Sequence, residues 1–245
     1  MSGVVSQIES EIDRLGDREF ENLTRSTIPL LCYWRIDPEI KCSQLAESVG
    51  MNFEDRPILR CGFEVASIPE ARASETDLMI TAPGVALAIE AKWSESRYDT
   101  VAEWRQKVSR GNLALDHWLK LIEPFSEAAS HDVNHLVYQM LHRCASACAA
   151  AGTEGTAGLV YQVFTGGPHQ GDFYEEDLKS FVRVIRPKLN LRVALQRVEA
   201  TPTAQYRDLL QSLPEDGKER AQLIRAAVRS GELFDFKAAM PIRLA

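Results

Sequence analysis

The sequence lacks the features that mark exported and membrane proteins. No apolar run approaches the roughly 20 residues that a bilayer-spanning helix needs. The segment from Met1 to Asp17 has no basic start followed by an apolar stretch, so no signal peptide is visible. We therefore expect a cytoplasmic protein without a membrane partner.

Cysteine and positive charge are also scarce. Five cysteines stand at irregular spacing without a CxxC pair, so we predict free and mostly buried thiols. Cys144 and Cys148 share a helix face but lack the second ligand pair of a zinc site. A formal net charge of −7 argues against a protein that coats nucleic acid through bulk positive charge, but it allows an enzyme with a local positive surface.

What is present is the composition of an ordinary globular protein, with 45% hydrophobic and 26% charged residues in 245. We predict one domain over residues 1–245, with a core at about 15–200 and a helical extension at 201–245. The segment from Ile8 to Arg35 predicts a long helix with a break near Pro29, because its apolar residues recur at three- and four-residue steps.

Strand and helix patterns then mix along the chain. Short runs rich in apolar and β-branched residues predict strands at 58–68, 76–82, 85–93, about 157–165 and about 190–199. Helical patterns fall at about 100–123, 132–150 and 174–186, and again in the tail. Early strands pair locally and later ones alternate with helices, which predicts an α/β fold with a mixed central sheet flanked by helices.

The strand Val85 to Trp93 carries the chemistry. Side chains alternate between the faces of a strand, so Glu90 and Lys92 share a face with two small alanines. Pro83-Gly84 is a tight-turn signal that predicts a hairpin with the strand before it. The start of that strand then lies opposite the end of the next, which places Asp77 beside Glu90 and Lys92.

Two carboxylates and a lysine in one pocket fit metal-assisted phosphoryl chemistry. A divalent cation relieves the repulsion between the carboxylates, and magnesium prefers such oxygen ligands. Bound there, it would polarise a phosphoryl oxygen and lower the pKa of an attacking water. Lys92 would orient or deprotonate that water, or stabilise the charge of the transition state.

Asp77, twelve intervening residues and Glu90-Ala91-Lys92 resemble the D…ExK signature of the PD-(D/E)xK, or restriction-endonuclease-like, nuclease superfamily. The resemblance covers roughly residues 15 to 165 and implies a restriction-endonuclease-like core, Mg²⁺ (or Mn²⁺) as cofactor and DNA as substrate. Thr76 stands where many members have proline, a change that the superfamily tolerates.

The same resemblance implies further site residues. Many members complete the metal site with a glutamate on the first helix, often after phenylalanine. Phe20-Glu21 matches that position, so Glu21 is the expected third ligand and Glu19 the alternative. Some members carry a glutamine on the helix after the ExK strand, which makes Gln139 a candidate lining residue.

A basic island suggests a path for the DNA backbone. Lys179, Arg183 and Arg186 recur at steps of four and three, which places them on one helix face.

Other interpretations of these residues stay open. Glu90 and Lys92 could be an exposed edge-strand pair, Asp77 a turn residue, Glu21 a solvated helix residue, and the basic stripe a solvated face. The alternative function is a non-catalytic module that keeps the fold and binds nucleic acid or protein. A homodimer or another protein partner is compatible with the sequence.

Overall fold

The computed structural model describes residues 3–66, 73–109, 111–127, 132–166 and 173–245, with side chains from residue 7 onward. Short 3₁₀ turns span Asp17–Phe20 and Glu123–Phe125. The helices of the described residues are α1 (Gly3–Arg14), α2 (Thr27–Arg35), α3 (Pro38–Val49), α4 (Val101–Lys107), α5 (Gly111–Ile122), α6 (Tyr138–Ala151), α7 (Phe173–Ile185), α8 (Ala204–Ser212) and α9 (Gly217–Ser230). The strands are β1 (Ile58–Val65), β2 (Ser74–Ala82), β3 (Val85–Lys92), β4 (Thr156–Thr165), β5 (Leu191–Pro202), β6 (Phe234–Ala238) and β7 (Ile242–Arg243).

The strands form a single mixed sheet in the order β1-β2-β3-β4-β5-β6, and β7 also pairs with β5. The meander β1-β2-β3 is antiparallel, β3, β4 and β5 run parallel, and β6 and β7 are antiparallel to β5. The parallel pairs need crossover connections, and helices α6 and α7 belong to them. The predicted α/β fold with a mixed sheet and flanking helices is therefore confirmed.

Each face of the sheet has its own core. Helices α1, α2, α3 and α9 bury their apolar side chains against one face, and α5, α6 and α7 cover the other. Strand β3 lies between the two layers, so seven of its eight residues are buried. A strand covered on both faces by helices is nearly continuous in apolar residues, and Glu90 and Lys92 are the charged exceptions.

The predicted hairpin between β2 and β3 is present and turns at Pro83-Gly84. Ala82 pairs with Val85, and Gly84 has φ +68°, a conformation that glycine adopts without the steric cost of a Cβ. Pairing then runs inward to Leu78 and Ile89. The register places the next residues of the two strands, Asp77 and Glu90, beside each other.

The β1-β2 pair changes its packing partners near Asp77. Leu59 and Cys61 of β1 belong to the first core, whereas Phe63 and Val65 pack against the second. Gly62 stands between them with φ +56°, in the left-handed region that favours glycine. Helix α6 contacts both strands of this pair.

Two predictions for the ends of the chain are corrected. The expected helix from Ile8 to Arg35 is α1, a 3₁₀ turn and α2. Its breaks come at Gly16 and after Phe20, and Pro29 lies in the first turn of α2, where proline is tolerated. The extension from 201 is helical only through α8 and α9, after which β6 and β7 join the sheet.

All five cysteines are buried free thiols, as predicted. Within the described ranges, no helix combines the length and apolar character needed to cross a bilayer.

Candidate active site

Asp77 and Glu90 meet at the open end of the β2-β3 hairpin. The Asp77 Oδ2 atom accepts a hydrogen bond of 2.8 Å from the Ala91 backbone amide, which ties the side chain to the neighbouring strand. Burial raises the pKa of Asp77 well above its usual range, and the negative charge of Glu90 raises it further. The negative charges of these two acids therefore repel each other.

Glu90 is 1% exposed, and both of its carboxylate oxygens are hydrogen-bonded. Oε1 accepts from Lys92 Nζ at 2.7 Å and from Gln139 Nε2 at 2.6 Å. Oε2 accepts from the Arg143 Nε–H. Burial raises the pKa of Glu90, but the charges of Arg143 and Lys92 outweigh it and hold the pKa below its usual value. Glu90 is therefore ionised at neutral pH.

Lys92 is 6% exposed and contacts the same carboxylate. Burial lowers its pKa, but Glu90 and Asp77 more than compensate and raise it above the usual value. Lys92 is therefore an ammonium ion that donates hydrogen bonds at neutral pH. In this state it can orient a water or stabilise negative charge, but it cannot take up a proton.

Arg143 of α6 is a site residue that the sequence analysis missed. Its Nη1 donates to Ser74 Oγ at 2.9 Å. Ser74 Oγ also lies 2.8 Å from His142 Nδ1 and accepts from Ser146 Oγ at 3.1 Å. These contacts hold the guanidinium against Glu90. Because Arg143 stands four residues after Gln139, both side chains share a helix face, and a charged residue in this alanine-rich helix was the available signal.

Gln139 occupies the predicted place beside the acids. It is 6% exposed, and its Oε1 has no hydrogen-bond partner among the described residues. The hydroxyl of Tyr161, which pairs with Glu90 across the parallel strands, is likewise buried without a partner there. Buried polar atoms are nearly always hydrogen-bonded in native proteins. Among the described residues, these two atoms therefore leave hydrogen-bonding capacity unused at the cluster.

A cleft of about 460 Å³ opens beside Asp77, Glu90 and Lys92; we call it the acidic cleft. It is lined by Glu19, Arg25, Ser26, Thr27, Asp77, Glu90, Lys92, Glu95, Ser96, Arg97, Tyr98, Asp99 and Gln139. The predicted triad and Gln139 thus face one solvent-accessible space. The edge-strand alternative for Glu90 and Lys92 is wrong, because both side chains are buried.

The glutamate that reaches this cleft from the N-terminal segment is Glu19, whereas Glu21 is exposed and does not line it. Glu21 was the expected ligand because Phe20-Glu21 matches the Phe-Glu pairing that the superfamily resemblance implies, with Glu19 as the alternative. The segment Asp17–Phe20 is a 3₁₀ turn that buries Phe20, so Glu21 points outward. Glu19 accepts hydrogen bonds from Thr27 Oγ1 at 3.0 Å and from Arg25 Nη1 at 3.2 Å.

Glu95 also lines the acidic cleft, although it was not among the predicted site residues, and it binds backbone amides. Its carboxylate accepts hydrogen bonds from the backbone amides of Ser26, Trp93 and Ser94 at 2.9, 2.8 and 3.1 Å. Burial raises its pKa, but these hydrogen bonds lower it to below the usual value. Glu95 thereby joins the end of β3 to the start of α2.

The predicted basic stripe does not border the acidic cleft. Lys179 forms ion pairs with Glu175 at 3.0 Å and Glu176 at 2.8 Å. Arg186 lies 3.8 Å from Glu127, and Arg183 is exposed. None of the three basic residues is among the described residues that line the cleft. The DNA path proposed along this helix face is therefore wrong for this cleft.

The donors of the cluster fit a magnesium or manganese ion that keeps most of its waters. Among the described residues, no group of three or more histidine, cysteine, aspartate or glutamate side chains is arranged to hold a metal. Mg²⁺ is commonly bound through one or two carboxylates together with waters and substrate phosphates. Asp77 and Glu90 provide two carboxylates, and the unpartnered Gln139 Oε1 can accept a hydrogen bond from a water of such an ion.

Comparison with known proteins gives a family assignment. A family model described as a domain of unknown function, DUF6946, matches residues 5–206. The chain belongs to the DUF6946 family. The matched range includes Asp77, Glu90, Lys92, Gln139 and Arg143 and ends within α8. No curated protein and no solved structure matches the chain.

Proposed function

We propose that this DUF6946 protein hydrolyses phosphodiester bonds in DNA with the help of a magnesium or manganese ion. The observation that carries the proposal is the convergence of Asp77, Glu90 and Lys92 on one cleft, with Lys92 held as a buried ammonium ion. The order of these residues along a β-hairpin also supports the resemblance to the PD-(D/E)xK nucleases.

Each member of the cluster has a defined role in this proposal. Asp77 and Glu90 would hold the cation, which supplies Lewis-acid activation of the phosphoryl group and a more acidic water. Lys92 would donate a hydrogen bond to the charge that develops on the phosphoryl oxygens. Gln139 would accept a hydrogen bond from the attacking water through Oε1 and so position it. Glu19 would bind a further water at the mouth of the cleft.

The test is cleavage of labelled linear, circular and single-stranded DNA with Mg²⁺ or Mn²⁺ and with a chelator. We expect metal-dependent cutting by the wild type and a loss of about 100-fold or more in Asp77→Asn and Lys92→Met, in line with the loss of a preorganised electrostatic contact. Glu64→Gln is the matched control, because Glu64 is an exposed carboxylate on β1. Equal cutting by all four proteins would refute the proposal.

A second function is favoured by the charge balance of the cluster. Lys92 and Arg143 balance the buried charge of Glu90 without a metal and hold its pKa below the usual value, so the fold would also be stable as a non-catalytic module that binds nucleic acid or protein. For such a module, Mg²⁺ should leave the midpoint of thermal unfolding unchanged. A nuclease should be stabilised by the cation, because the ion binds the folded state selectively.

A further inference from the structure

A second and larger cavity adjoins the acidic cleft. Its volume is about 710 Å³, within the range of roughly 300–1,000 Å³ typical of ligand pockets; we call it the aromatic chamber. Glu19, Arg25, Thr27, Asp77 and Tyr98 line both spaces. A ligand in the chamber is therefore directly beside the proposed catalytic cluster.

Flat aromatic rings form one wall of the chamber. The rings of Trp104 and Tyr138 are stacked, with centroids 3.6 Å apart and an interplanar angle of 11°. The Tyr138 hydroxyl accepts a hydrogen bond of 3.0 Å from Trp118 Nε1, which fixes the ring from behind. Tyr98 lines the boundary with the acidic cleft and is 48% exposed. The wall thus has a hydrogen-bonded ring at its base and an exposed ring at its edge.

Positive charge lies at the mouth of the chamber. Arg14 is held by Glu11 and the Cys61 carbonyl, whereas Arg18 is exposed and has no ion pair within the described part of the chain. Arginine binds phosphate oxygens through its planar fork of donors. Aromatic rings with a neighbouring arginine are the combination that recognises an unstacked nucleotide.

We propose that the aromatic chamber binds an unpaired nucleobase of the strand that is cut, so that the substrate is single-stranded or locally unpaired nucleic acid. This inference rests on the proposed nuclease function and names its substrate class. A base inside a duplex is already stacked and paired and can reach such a chamber only if it is extruded, which costs energy that a single strand does not require. Base stacking on Trp104 and Tyr98 would then hold the adjacent phosphodiester beside Asp77.

The charge distribution favours this substrate over an intact duplex. The chain has a net charge of −7, and the stripe Lys179, Arg183 and Arg186 does not line the chamber either. Among the described residues, this stripe therefore offers no basic track beside the chamber, and contacts of such a track to phosphates provide most of the affinity for unspecific duplex DNA. Base stacking inside the chamber depends less on contacts between basic residues and phosphates.

The test is fluorescence anisotropy of labelled 12-mers with the full-length protein in EDTA, so that no cleavage occurs. The arms are a single strand, the matching duplex, an abasic strand of the same length and an RNA strand. We expect the single strand to bind at least 10-fold more tightly than the duplex or the abasic strand. Whichever of the DNA and RNA single strands binds more tightly identifies the sugar that the site prefers.

Variants then assign the binding to the chamber. Trp104→Leu should weaken binding of the single strand by roughly 10- to 100-fold, the range expected for loss of base stacking, whereas Trp104→Phe should retain most of it. If Trp104→Leu fails to fold, Tyr98→Ala replaces it as the test, because Tyr98 is exposed, and this variant should also weaken binding of the single strand. Leu113→Ala is the control, because Leu113 is 57% exposed on α5 and does not line the chamber.

The result that would overturn the inference is equal binding of single strand and duplex, or unchanged binding by the Trp104 and Tyr98 variants. Its failure is distinguishable from failure of the nuclease proposal. Metal-dependent cutting of duplex DNA by a fully active Trp104→Leu protein would leave the nuclease standing and reject the chamber. Base-dependent binding of a strand that is never cut would support the chamber as a base-binding site and reject the nuclease proposal.

Discussion

Removal of the Arg143 charge should destabilise the protein strongly, because this guanidinium balances a buried carboxylate. Glu90 is 1% exposed, and Arg143 is the donor to its Oε2 atom. In Arg143→Met the buried Oε2 atom of Glu90 loses its donor, and Lys92 is left as the cation that pairs with this carboxylate.

The expected loss follows from the cost of breaking a buried ion pair, which is about 3–5 kcal/mol. Lys92 and Gln139 still donate to Glu90 Oε1, so we expect the lower end, about 3 kcal/mol. For a chain of this size, each kcal/mol shifts the unfolding midpoint by roughly 2–4 °C. Arg143→Met should therefore melt about 6–12 °C below the wild type.

The loss should depend on pH with a definite sign. In the wild type, Arg143 and Lys92 lower the pKa of Glu90 despite its burial. Glu90 therefore contributes stability above its unfolded-state pKa, and that stability is lost as the pH falls through the folded-state pKa. Without Arg143, burial raises the pKa, so protonation relieves the strain and the difference between the two proteins should shrink in acid.

Urea unfolding at pH 7 and at pH 5 measures this effect, with Arg183→Met as the control because Arg183 is exposed on α7. A double-mutant cycle with Glu90→Gln should give a coupling energy of about 2 kcal/mol or more. A loss below about 1 kcal/mol, or one that is the same at both pH values, would refute the assigned ion pair.

Three further predictions concern Glu19 of the acidic cleft, two glycines with positive φ, and the basic stripe. Glu19→Gln should reduce metal-dependent cleavage about 10-fold or more, as loss of a ligand-orienting contact does, while Glu21→Gln should leave the rate unchanged; equal rates would remove Glu19 from the site. Ala substitution at Gly62 should destabilise the fold by about 1–3 kcal/mol, because its φ is +56° and a Cβ would lie 3.0 Å from Glu75 Oε1. Gly84→Ala should cost less in chemical denaturation, since nothing lies within 4 Å of its Cβ position. Combined Ala substitutions at Lys179, Arg183 and Arg186 should alter DNA affinity less than Arg18→Ala does in an anisotropy titration.

Local patterns were sufficient to predict the central part of the fold. Pro83-Gly84 fixes a two-residue turn, and two-residue alternation along β3 places Glu90 and Lys92 on one face. Both signals act within a few residues, so no knowledge of the tertiary structure was needed. The placement of Asp77 followed from the same hairpin register.

Other features depend on contacts that are distant in sequence. Arg143 becomes a site residue only because α6 packs across the end of β2 and β3. Glu19 and not Glu21 reaches the acidic cleft because Phe20 is buried in a 3₁₀ turn. This turn packs against α9, and Arg225 of α9 lies over the Phe20 ring. Strands β6 and β7 are short and pair with β5, so their pattern alone could not distinguish them from the helical tail that we expected.

Titration of manganese by electron paramagnetic resonance, at pH 7.5 and without DNA, tests the central claim that Asp77 and Glu90 share one divalent cation. The free-ion signal should reveal one site in the wild type and in the Glu64→Gln control. The affinity of that site should fall in Asp77→Asn and in Glu90→Gln, because each variant loses one of the two carboxylates that hold the ion. Manganese binding that is the same in all four proteins, or absent from the wild type, would contradict the account.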